Sequence, residues 1–366
     1  MNFINYFHTQ CLEKGPVPFV TFMHNALYAP NAGYYTAGSQ VFGKAGDFVT
    51  APELTPLFGQ TLAHQCQQIL TELDNPILFE FGAGSGRLCV DLLKQLKHLN
   101  CLPDEYHILE VSGHLKAEQQ ALINHEIPEL SKRVKWLAEW PTEPFNGVVL
   151  ANEVLDAMPV HRFLQTTDGV MESYIGQNAA LQLEETFLPS TNATLIAHVR
   201  SVLTPDLAPY LSEANLFLDG WIQQCYDMVA RGVLLIIDYG FPRHEYYHPD
   251  RNQGTLMCHY QHHAHTNPLA HPGEEDITAH VDFTHVADCA DMAGFQVAGY
   301  TNQASFLLSN GILNLLEHEP SLNQQHAVKQ LLQPNEMGEL FKVIALTKGF
   351  DKPLNGFQLH DKRASL

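Results

Sequence analysis

The sequence predicts an α/β protein with an open, doubly wound, mostly parallel sheet that is covered by helices on both faces. Short apolar segments alternate with helical patterns along much of the chain, as they do in βαβ units. One such segment, 77–81, is followed by three alternating glycines and then by a helical pattern. Another segment, 233–237, is continuously apolar, which is typical of a parallel strand buried on both faces.

The individual elements follow from these patterns. Residues 1–60 are predicted to form an N-terminal extension of short helical segments broken by Gly and Pro, ending in a loop at 42–53. The strands are predicted at 77–81, 106–111, 134–137, 147–151, 233–237, 295–300 and 341–346. The helices are predicted at 56–72, 86–98, 113–124, 216–230 and 282–293.

Two stretches interrupt the alternation. They lie at about 160–225 and about 240–280, and each is longer than one crossover requires. The first includes a predicted strand pair at 163–175. We interpret both as insertions that form a substrate cover in a main domain at 61–350. Residues 351–366 are predicted to be a C-terminal tail.

Composition excludes some classes of partner. The chain has 366 residues, with 20 basic and 40 acidic side chains and a net charge of −20. Nucleic acids and anionic membranes bind basic surfaces, so neither is an expected partner. The seven cysteines are odd in number and show no C-x-x-C spacing, which predicts reduced thiols in a cytosol-like, cytoplasmic setting. No long apolar segment is present, so neither a secretory signal nor membrane insertion is expected.

The glycines predict a nucleotide site. Gly82, Gly84 and Gly86 follow a strand and open a helix, which lets a ligand lie against bare backbone. Glu110 ends the next strand, where an acid can accept both hydroxyl groups of a ribose. Such an acid is compatible with NAD or with S-adenosylmethionine.

The glycine spacing and Glu80 favour the sulfonium donor over a dinucleotide. The pattern is G-x-G-x-G rather than G-x-G-x-x-G, and Glu80 stands just ahead of it. A pyrophosphate needs a helix N-terminus free of nearby negative charge, whereas an amino acid with a positive ammonium group tolerates a carboxylate there. The alternative is a glycine turn that only packs a helix against a strand.

A second group of polar residues follows the fourth strand. Asn152, Glu153 and Asp156 are expected at the carboxyl edge of the sheet, in the same crevice as the glycines. Two carboxylates there could grip a guanidinium group, whose planar fork suits paired hydrogen bonds. Helix capping is the alternative for Asn152 or Asp156. Asp238, which ends the fifth strand, is either on the acceptor side or a capping residue.

A histidine-rich segment lies in the second insertion. Its histidines follow the pattern H-x-x-H-H-x-H and stand at positions 259, 262, 263, 265 and 271. The pattern lacks a partnering Cys pair and is expected to form a loop, so it predicts no metal site. A solvated loop or a contact with substrate is the favoured interpretation.

Taken together, the motifs resemble the MidA family of S-adenosylmethionine-dependent methyltransferases. Its mitochondrial members help assemble respiratory complex I by methylating an arginine of one subunit. The matching segments occur in family order at 31–35, 46–53, 80–88, 110–112, 152–161, 238–240 and 276–283. Eukaryotic members have Pro and Arg where this chain has Ala83 and Ser85, and their segment at 258–271 is less rich in histidine, which suggests a bacterial-type member.

The resemblance implies a class I, Rossmann-like methyltransferase sheet with family-specific additions. It implies that S-adenosylmethionine binds at Gly82, Gly84, Gly86 and Glu110. The segment 46–53, with Asp47 and Thr50, is expected to close over the donor. Glu80 and Asn152 complete the predicted cofactor-binding set.

The predicted function is methyl transfer to an arginine of a protein, with Glu153 and Asp156 orienting the guanidinium group. His161 or a loop histidine could carry the proton away. A small-molecule methyltransferase, a non-catalytic assembly factor that keeps the donor as a structural ligand, and a nicotinamide dehydrogenase are alternatives. The glycine spacing disfavours the last of these. The sequence leaves the oligomeric state open, with a homodimer as one option.

Overall fold

A computed structural model describes residues 3–37, 50–178, 180, 182–261, 263–316 and 320–366. The chain divides into two compact units. The first unit comprises Met1–Phe48, Asp156–Leu218 and Pro242–Asp282, and the second comprises Val49–Leu155, Asp219–Phe241 and Phe283–Leu366. The predicted insertions overlap the second and third segments of the first unit.

The second unit contains the predicted parallel sheet. Its strands are β1 (Ile77–Phe81), β2 (Glu105–Leu109), β3 (Val134–Leu137), β4 (Phe145–Asn152), β5 (Val229–Phe241), β6 (Gln296–Asn302) and β7 (Phe341–Lys348). They lie in the order β3-β2-β1-β4-β5-β7-β6. The first five strands of this order are parallel, and β7 is antiparallel to both of its neighbours. This arrangement confirms the predicted doubly wound α/β fold.

The strand order identifies where a ligand binds. The chain runs outward from β1 through β2 to β3 and then returns to the other side of β1 with β4. A ligand crevice forms at such a switch point, outside the carboxyl ends of the strands. The candidate site therefore lies where β1 and β4 end.

Helices and a continuous apolar core hold this sheet in place. The helices of the second unit are Ala51–Leu54, Pro56–Leu70, Arg87–His98, Gly113–Glu126, Leu218–Met228, Phe283–Ala293, Gln303–Ser309, Leu322–Leu332 and Met337–Leu340. Leu78, Tyr106 and Val148 on the sheet are fully buried together with Leu62 and Leu92 on the helices. These apolar positions are the signal that predicts the helices and strands from sequence.

The first unit is built on antiparallel pairs. His161–Thr166 and Gly169–Gln177 form the predicted strand pair, and Val17–Pro18, Leu183–Pro189 and Tyr210–Ala214 extend it. Its helices are Phe3–Lys14, Phe19–Tyr28, Ala193–Val202 and the short Arg243–Tyr246. Aromatic side chains of the N-terminal helices, among them Phe7 and Phe22, form a separate core.

The first part of the histidine-rich segment is not the loop that we expected. Met257–Tyr260 pairs with His263–His265 on one side and with Asp276–Thr278 on the other, forming a three-stranded antiparallel sheet. The high content of His, Pro and Gly concealed these strands, because each is only three or four residues long. Cross-strand pairing and the burial of Cys258 and Ile277 stabilise them.

The structure also describes the state of the cysteines and the character of the helices relative to a membrane. All seven cysteines are free, and five of them are buried. Among the described residues, no helix has the length and apolar character needed to cross a bilayer.

Candidate methyl-donor site

Strand register brings the predicted site residues to one edge. Phe81, the last residue of β1, pairs with Leu109 on one side and with Ala151 on the other. The next residues along the three strands are Gly82, Glu110 and Asn152, so these three are neighbours at the carboxyl edge. The sequence suggested this grouping, and the parallel register accounts for it.

The glycine turn depends on left-handed backbone. Gly82, Gly84 and Gly86 have φ values of 55°, 53° and 88°, a region that residues with a Cβ avoid. A Cβ atom added to Gly82 would meet no atom of the described residues within 4 Å, so the turn is open to them on that side. Gly86 precedes Arg87–His98 as its N-cap, and it has no side chain to cap this helix N-terminus. The hydroxyl of Ser85 accepts from the N–H of Arg87 at 3.2 Å instead, so the open side of Gly82 is the feature that leaves space for a ligand.

Gln119, which the sequence analysis missed, connects the turn to Glu110. Its side-chain Nε2 donates to the carbonyl of Gly84 and to Oε2 of Glu110, each at 2.9 Å. Its Oε1 accepts from the indole Nε1 of Trp136 at 2.9 Å. Gln119 is fully buried, so these bonds fix the positions of the turn and of the acid relative to each other. A lone Gln in a helical pattern gives no sequence signal for this role.

Two hydrogen-bond donors hold the carboxylate of Glu110, the predicted ribose-binding residue, in place. Its Oε1 accepts from the backbone N–H of Ser112 at 2.8 Å, while Oε2 accepts from Gln119. Burial raises the pKa of Glu110, and these donors act in the opposite direction. Each carboxylate oxygen can accept more than one hydrogen bond, so capacity for two hydroxyl groups remains.

Glu80 lies beneath the turn and is almost completely buried. Its Oε2 accepts from the phenol of Tyr106 at 2.6 Å. Burial raises the pKa of Glu80 to about 7, although the Tyr106 hydrogen bond lowers it and the Glu110 charge raises it further. A positive ligand placed above the turn would favour the ionised form of this carboxylate.

The segment before the helix Pro56–Leu70 also reaches the turn. Thr50 precedes the short helix Ala51–Leu54, and its carbonyl accepts from the N–H of Glu53 at 3.0 Å. Ser85 stands between Gly84 and Gly86, and its hydroxyl donates a short hydrogen bond to the Glu53 carboxylate. Asp47, predicted with Thr50 to close over the donor, lies outside the described residues.

Glu153 directly follows β4 and has an unusual backbone conformation. Glu153 has a φ of 52°, which is costly for a residue with a long side chain, while its N–H donates to the carbonyl of Ile237 at 2.9 Å. The Asn152 Nδ2 donates to the Glu153 carboxylate at 3.3 Å. The Oδ1 of Asn152 is buried and has no hydrogen-bond partner among the described residues. Strain and an unsatisfied acceptor together point to a functional position.

Asp238 anchors this turn from the neighbouring strand. It is fully buried, and its carboxylate accepts from the N–H of Leu155 at 2.9 Å and from that of Tyr239 at 2.8 Å. Of the two interpretations left open by the sequence, these bonds fit the capping role. Asp238 thus supports the backbone that carries Glu153.

Asp156 is part of the first unit. Its side chain is buried, and its carbonyl accepts from the N–H of Ala279 at 3.0 Å. Burial is the main reason that the pKa of Tyr35 is well above its usual range. Nearby charges, among them the Asp276 and Asp156 carboxylates, raise it further. The Tyr35 hydroxyl donates to Asp276 at 3.0 Å, and its ring stacks on that of Tyr28 at 5.5 Å. Acids and aromatic rings thus occur together in this unit.

The second unit fits an adenosine ligand with a positively charged sulfur. Glu110 offers acceptors for the ribose, the open side of Gly82 offers space, and Asn152 offers a buried acceptor. Glu80, which stands just before the glycine turn, disfavours a pyrophosphate there but not an amino acid with a positive ammonium group.

Comparison with known proteins agrees with this chemistry. The sequence profile of a family of S-adenosyl-L-methionine-dependent methyltransferases matches residues 61–301, which is more than half of the chain. The chain belongs to the MidA family of these methyltransferases. S-adenosylmethionine is therefore its methyl donor.

A solved relative places the product of the donor in this fold. A protein from Burkholderia thailandensis, bound to S-adenosyl-homocysteine, is 41% identical and matches with a TM-score of 0.95 over 100% of this chain and 96% of its own. This similarity supports both the fold and the use of the donor. It does not identify the acceptor.

Curated relatives carry a more specific name. The mitochondrial protein arginine methyltransferase NDUFAF7 homolog of Drosophila melanogaster is 30% identical, covering 92% of this chain and 83% of the fly protein. The human protein arginine methyltransferase NDUFAF7 is 28% identical, covering 91% of this chain and 80% of its own. This MidA-family chain is thus similar to arginine methyltransferases along nearly its whole length.

Replacing Gln119 tests its role in positioning the donor site. Gln119→Leu leaves the carbonyl of Gly84, a Glu110 oxygen and the Trp136 N–H without their partner, so we expect affinity for S-adenosyl-homocysteine to fall at least about tenfold. Titration calorimetry measures this affinity. The control is Gln120→Leu, at the next position of the same helix, which should bind normally. Unchanged affinity in folded Gln119→Leu protein would contradict the assignment.

The raised pKa of Glu80 predicts a pH-dependent stability. Ionising this buried acid costs free energy in the folded state; the cost is absent below the unfolded-state pKa of 4.5 and is complete above about 7. Relative to Glu80→Gln, the wild type should therefore lose about 2 to 3 kcal/mol of unfolding free energy between pH 5 and pH 8.

Urea unfolding without the donor at each pH measures this difference. The Gln side chain still accepts from Tyr106, so the variant removes the charge and keeps the hydrogen bond. Glu139→Gln, at an exposed position, removes the same formal charge and should show no such trend. Parallel pH curves for the wild type and Glu80→Gln would show that the Glu80 pKa is not raised.

Proposed function

We propose that this methyltransferase transfers the methyl group to an arginine side chain of a protein. The observation that carries the proposal is the similarity to named protein arginine methyltransferases over more than nine-tenths of the chain. The acidic residues at the end of β4 suit that acceptor, because carboxylates bind a guanidinium group through paired, charge-assisted hydrogen bonds.

Glu153 has the central role in the proposed mechanism. A protonated guanidinium group is a poor nucleophile, so the enzyme must orient it and allow a proton to leave as the methyl group transfers. A Glu153 carboxylate held by Asn152 and by a fixed backbone concentrates the positive charge on one edge of the acceptor. The bound donor supplies an electrophilic methyl group on a positive sulfur and leaves as a neutral thioether.

Asp156 is proposed as a second acceptor-binding acid. It stands in the first unit near Tyr35, which hydrogen-bonds Asp276 and stacks on Tyr28. Buried carboxylates and aromatic faces are the groups that bind guanidinium ions in proteins. His161, whose Nδ1 lies 2.9 Å from a Glu172 oxygen, is proposed only as a proton carrier.

The MidA-family resemblance suggests which arginine to test first. Mitochondrial members act on a subunit of respiratory complex I, so the homologous subunit is the proposed acceptor where one is present. A cytoplasmic location belongs to the same proposal. The free thiols are compatible with that location.

Labelled methyl donor tests the acceptor class directly. The protein is incubated with S-adenosylmethionine carrying a labelled methyl group and with a cell lysate, and the products are hydrolysed to amino acids. Label in methylarginine from a protein band would support the proposal. Label confined to small molecules would favour the small-molecule alternative, and absence of transfer despite donor binding would favour a non-catalytic assembly factor.

Two substitutions at Glu153 separate its chemistry from its backbone strain. Glu153→Gln should abolish methyl transfer while affinity for S-adenosyl-homocysteine stays near normal. Glu153→Gly should abolish transfer as well, but its unfolding free energy should equal or exceed that of the wild type by up to about 1 kcal/mol, because Gly accepts a φ of 52°. Turnover that survives in Glu153→Gln would refute the proposed role.

A further inference from the structure

A cluster of potential metal ligands lies in the three-stranded sheet of the first unit. Cys258, His265 and Glu275 each present one ligand atom, and these atoms all lie within 4.8 Å of one another. The methyl-transfer mechanism uses none of the three. The histidine-rich pattern in the sequence drew attention to this region, but only one of its histidines belongs to the cluster.

Strand pairing brings the three side chains together. Cys258 and His265 are direct cross-strand partners, so their side chains stand on the same face of the sheet. Glu275 immediately precedes Asp276–Thr278, the strand on the other side of Cys258. The ligand set thus comes from three rigid adjacent segments, which keeps its geometry fixed.

The cluster lies largely out of contact with solvent. Cys258 and Glu275 are fully buried, and the Glu275 Oε2 lies 2.9 Å from the His265 Nε2. The other oxygen, Oε1, accepts from the backbone N–H of His271 at 3.3 Å. Burial and then the Glu275 and Asp276 charges raise the pKa of the Cys258 thiol. A divalent cation in direct contact reverses this effect and deprotonates a thiol.

We propose that Cys258, His265 and Glu275 bind a divalent cation of the zinc class. Thiolate, neutral imidazole and carboxylate together carry two negative charges, so a divalent ion leaves the buried site neutral. A set of sulfur, nitrogen and oxygen donors favours Zn²⁺ over Mg²⁺ or Ca²⁺, which take oxygen ligands. The His265 side chain is 29% exposed, so a water molecule can reach a fourth position.

A second cluster provides a control within the same chain. Asp219, His285 and Cys289 of the second unit also have ligand atoms within 4.8 Å. There the Asp219 side chain is 60% exposed, and the Cys289 thiol lies 2.7 Å from its carboxylate as a hydrogen-bond donor. The exposed Asp219 deprives this grouping of the buried ligand set that the first cluster has, and no cation is proposed in it.

Metal binding to tag-free full-length protein tests the proposal. The protein is stripped with a chelator, loaded with Zn²⁺ or Co²⁺, dialysed, and analysed by mass spectrometry for metal content. We expect about one ion per chain, with a thiolate-to-cobalt charge-transfer band in the Co²⁺ form. Cys258→Ser should abolish this band, and His265→Ala should weaken Zn²⁺ binding at least about tenfold. These readouts do not depend on methyl transfer.

Matched variants decide between the outcomes. His263→Ala removes an exposed imidazole from the same strand as His265 and should bind Zn²⁺ like the wild type. The proposal is overturned if the wild type retains no metal, if His265→Ala binds as tightly as His263→Ala, or if metal is lost in His285→Ala instead. Should Cys258→Ser fail to fold, as judged by circular dichroism, the more exposed His265→Ala still decides whether this cluster binds the ion.

Discussion

Parallel register between β4, β1 and β2 is the constraint on which the donor site depends. Because Phe81 lies between Leu109 and Ala151, the next residue of each strand reaches the same edge. A slip of one residue would turn the side chains to the other face of the sheet and separate Glu110 from the glycine turn. Burial alternates along β2, with Tyr106 and Ile108 in the core, so a one-residue slip of this strand would bring apolar side chains out of the core.

Buried polar side chains convert this register into a defined site. Gln119 connects Gly84, Glu110 and Trp136, and Asp238 holds the turn that carries Glu153. Each of these polar groups would be costly in the core without its partners, so the networks allow few alternative arrangements. The unfavourable backbone of Glu153 is maintained by this surrounding structure.

The electrostatics explain why an acidic site is suited to this donor. Burial raises the pKa values of both Glu80 and Glu110, although Glu110 is only partly buried. A negative charge on Glu80 disfavours a phosphate at the turn and favours a positively charged ligand. The same logic applies to the proposed acceptor, since a guanidinium group needs carboxylates.

The sequence by itself determined the sheet and the methyl donor. Periodicity and the G-x-G-x-G turn are local signals, because side-chain alternation and left-handed backbone are properties of short segments. Most predicted strands and helices lie within a few residues of their expected bounds. The three strands around Cys258 escaped prediction, because very short strands in a His-, Pro- and Gly-rich segment carry almost no pattern.

Only the tertiary structure decided which distant residues meet. Gln119 contacts Gly84 across 35 positions of sequence, and Glu53 contacts Ser85 across 32. Cys258 approaches Glu275 only through strand pairing. Local pattern cannot reveal such contacts, because they arise from the register and burial of elements that fold against one another.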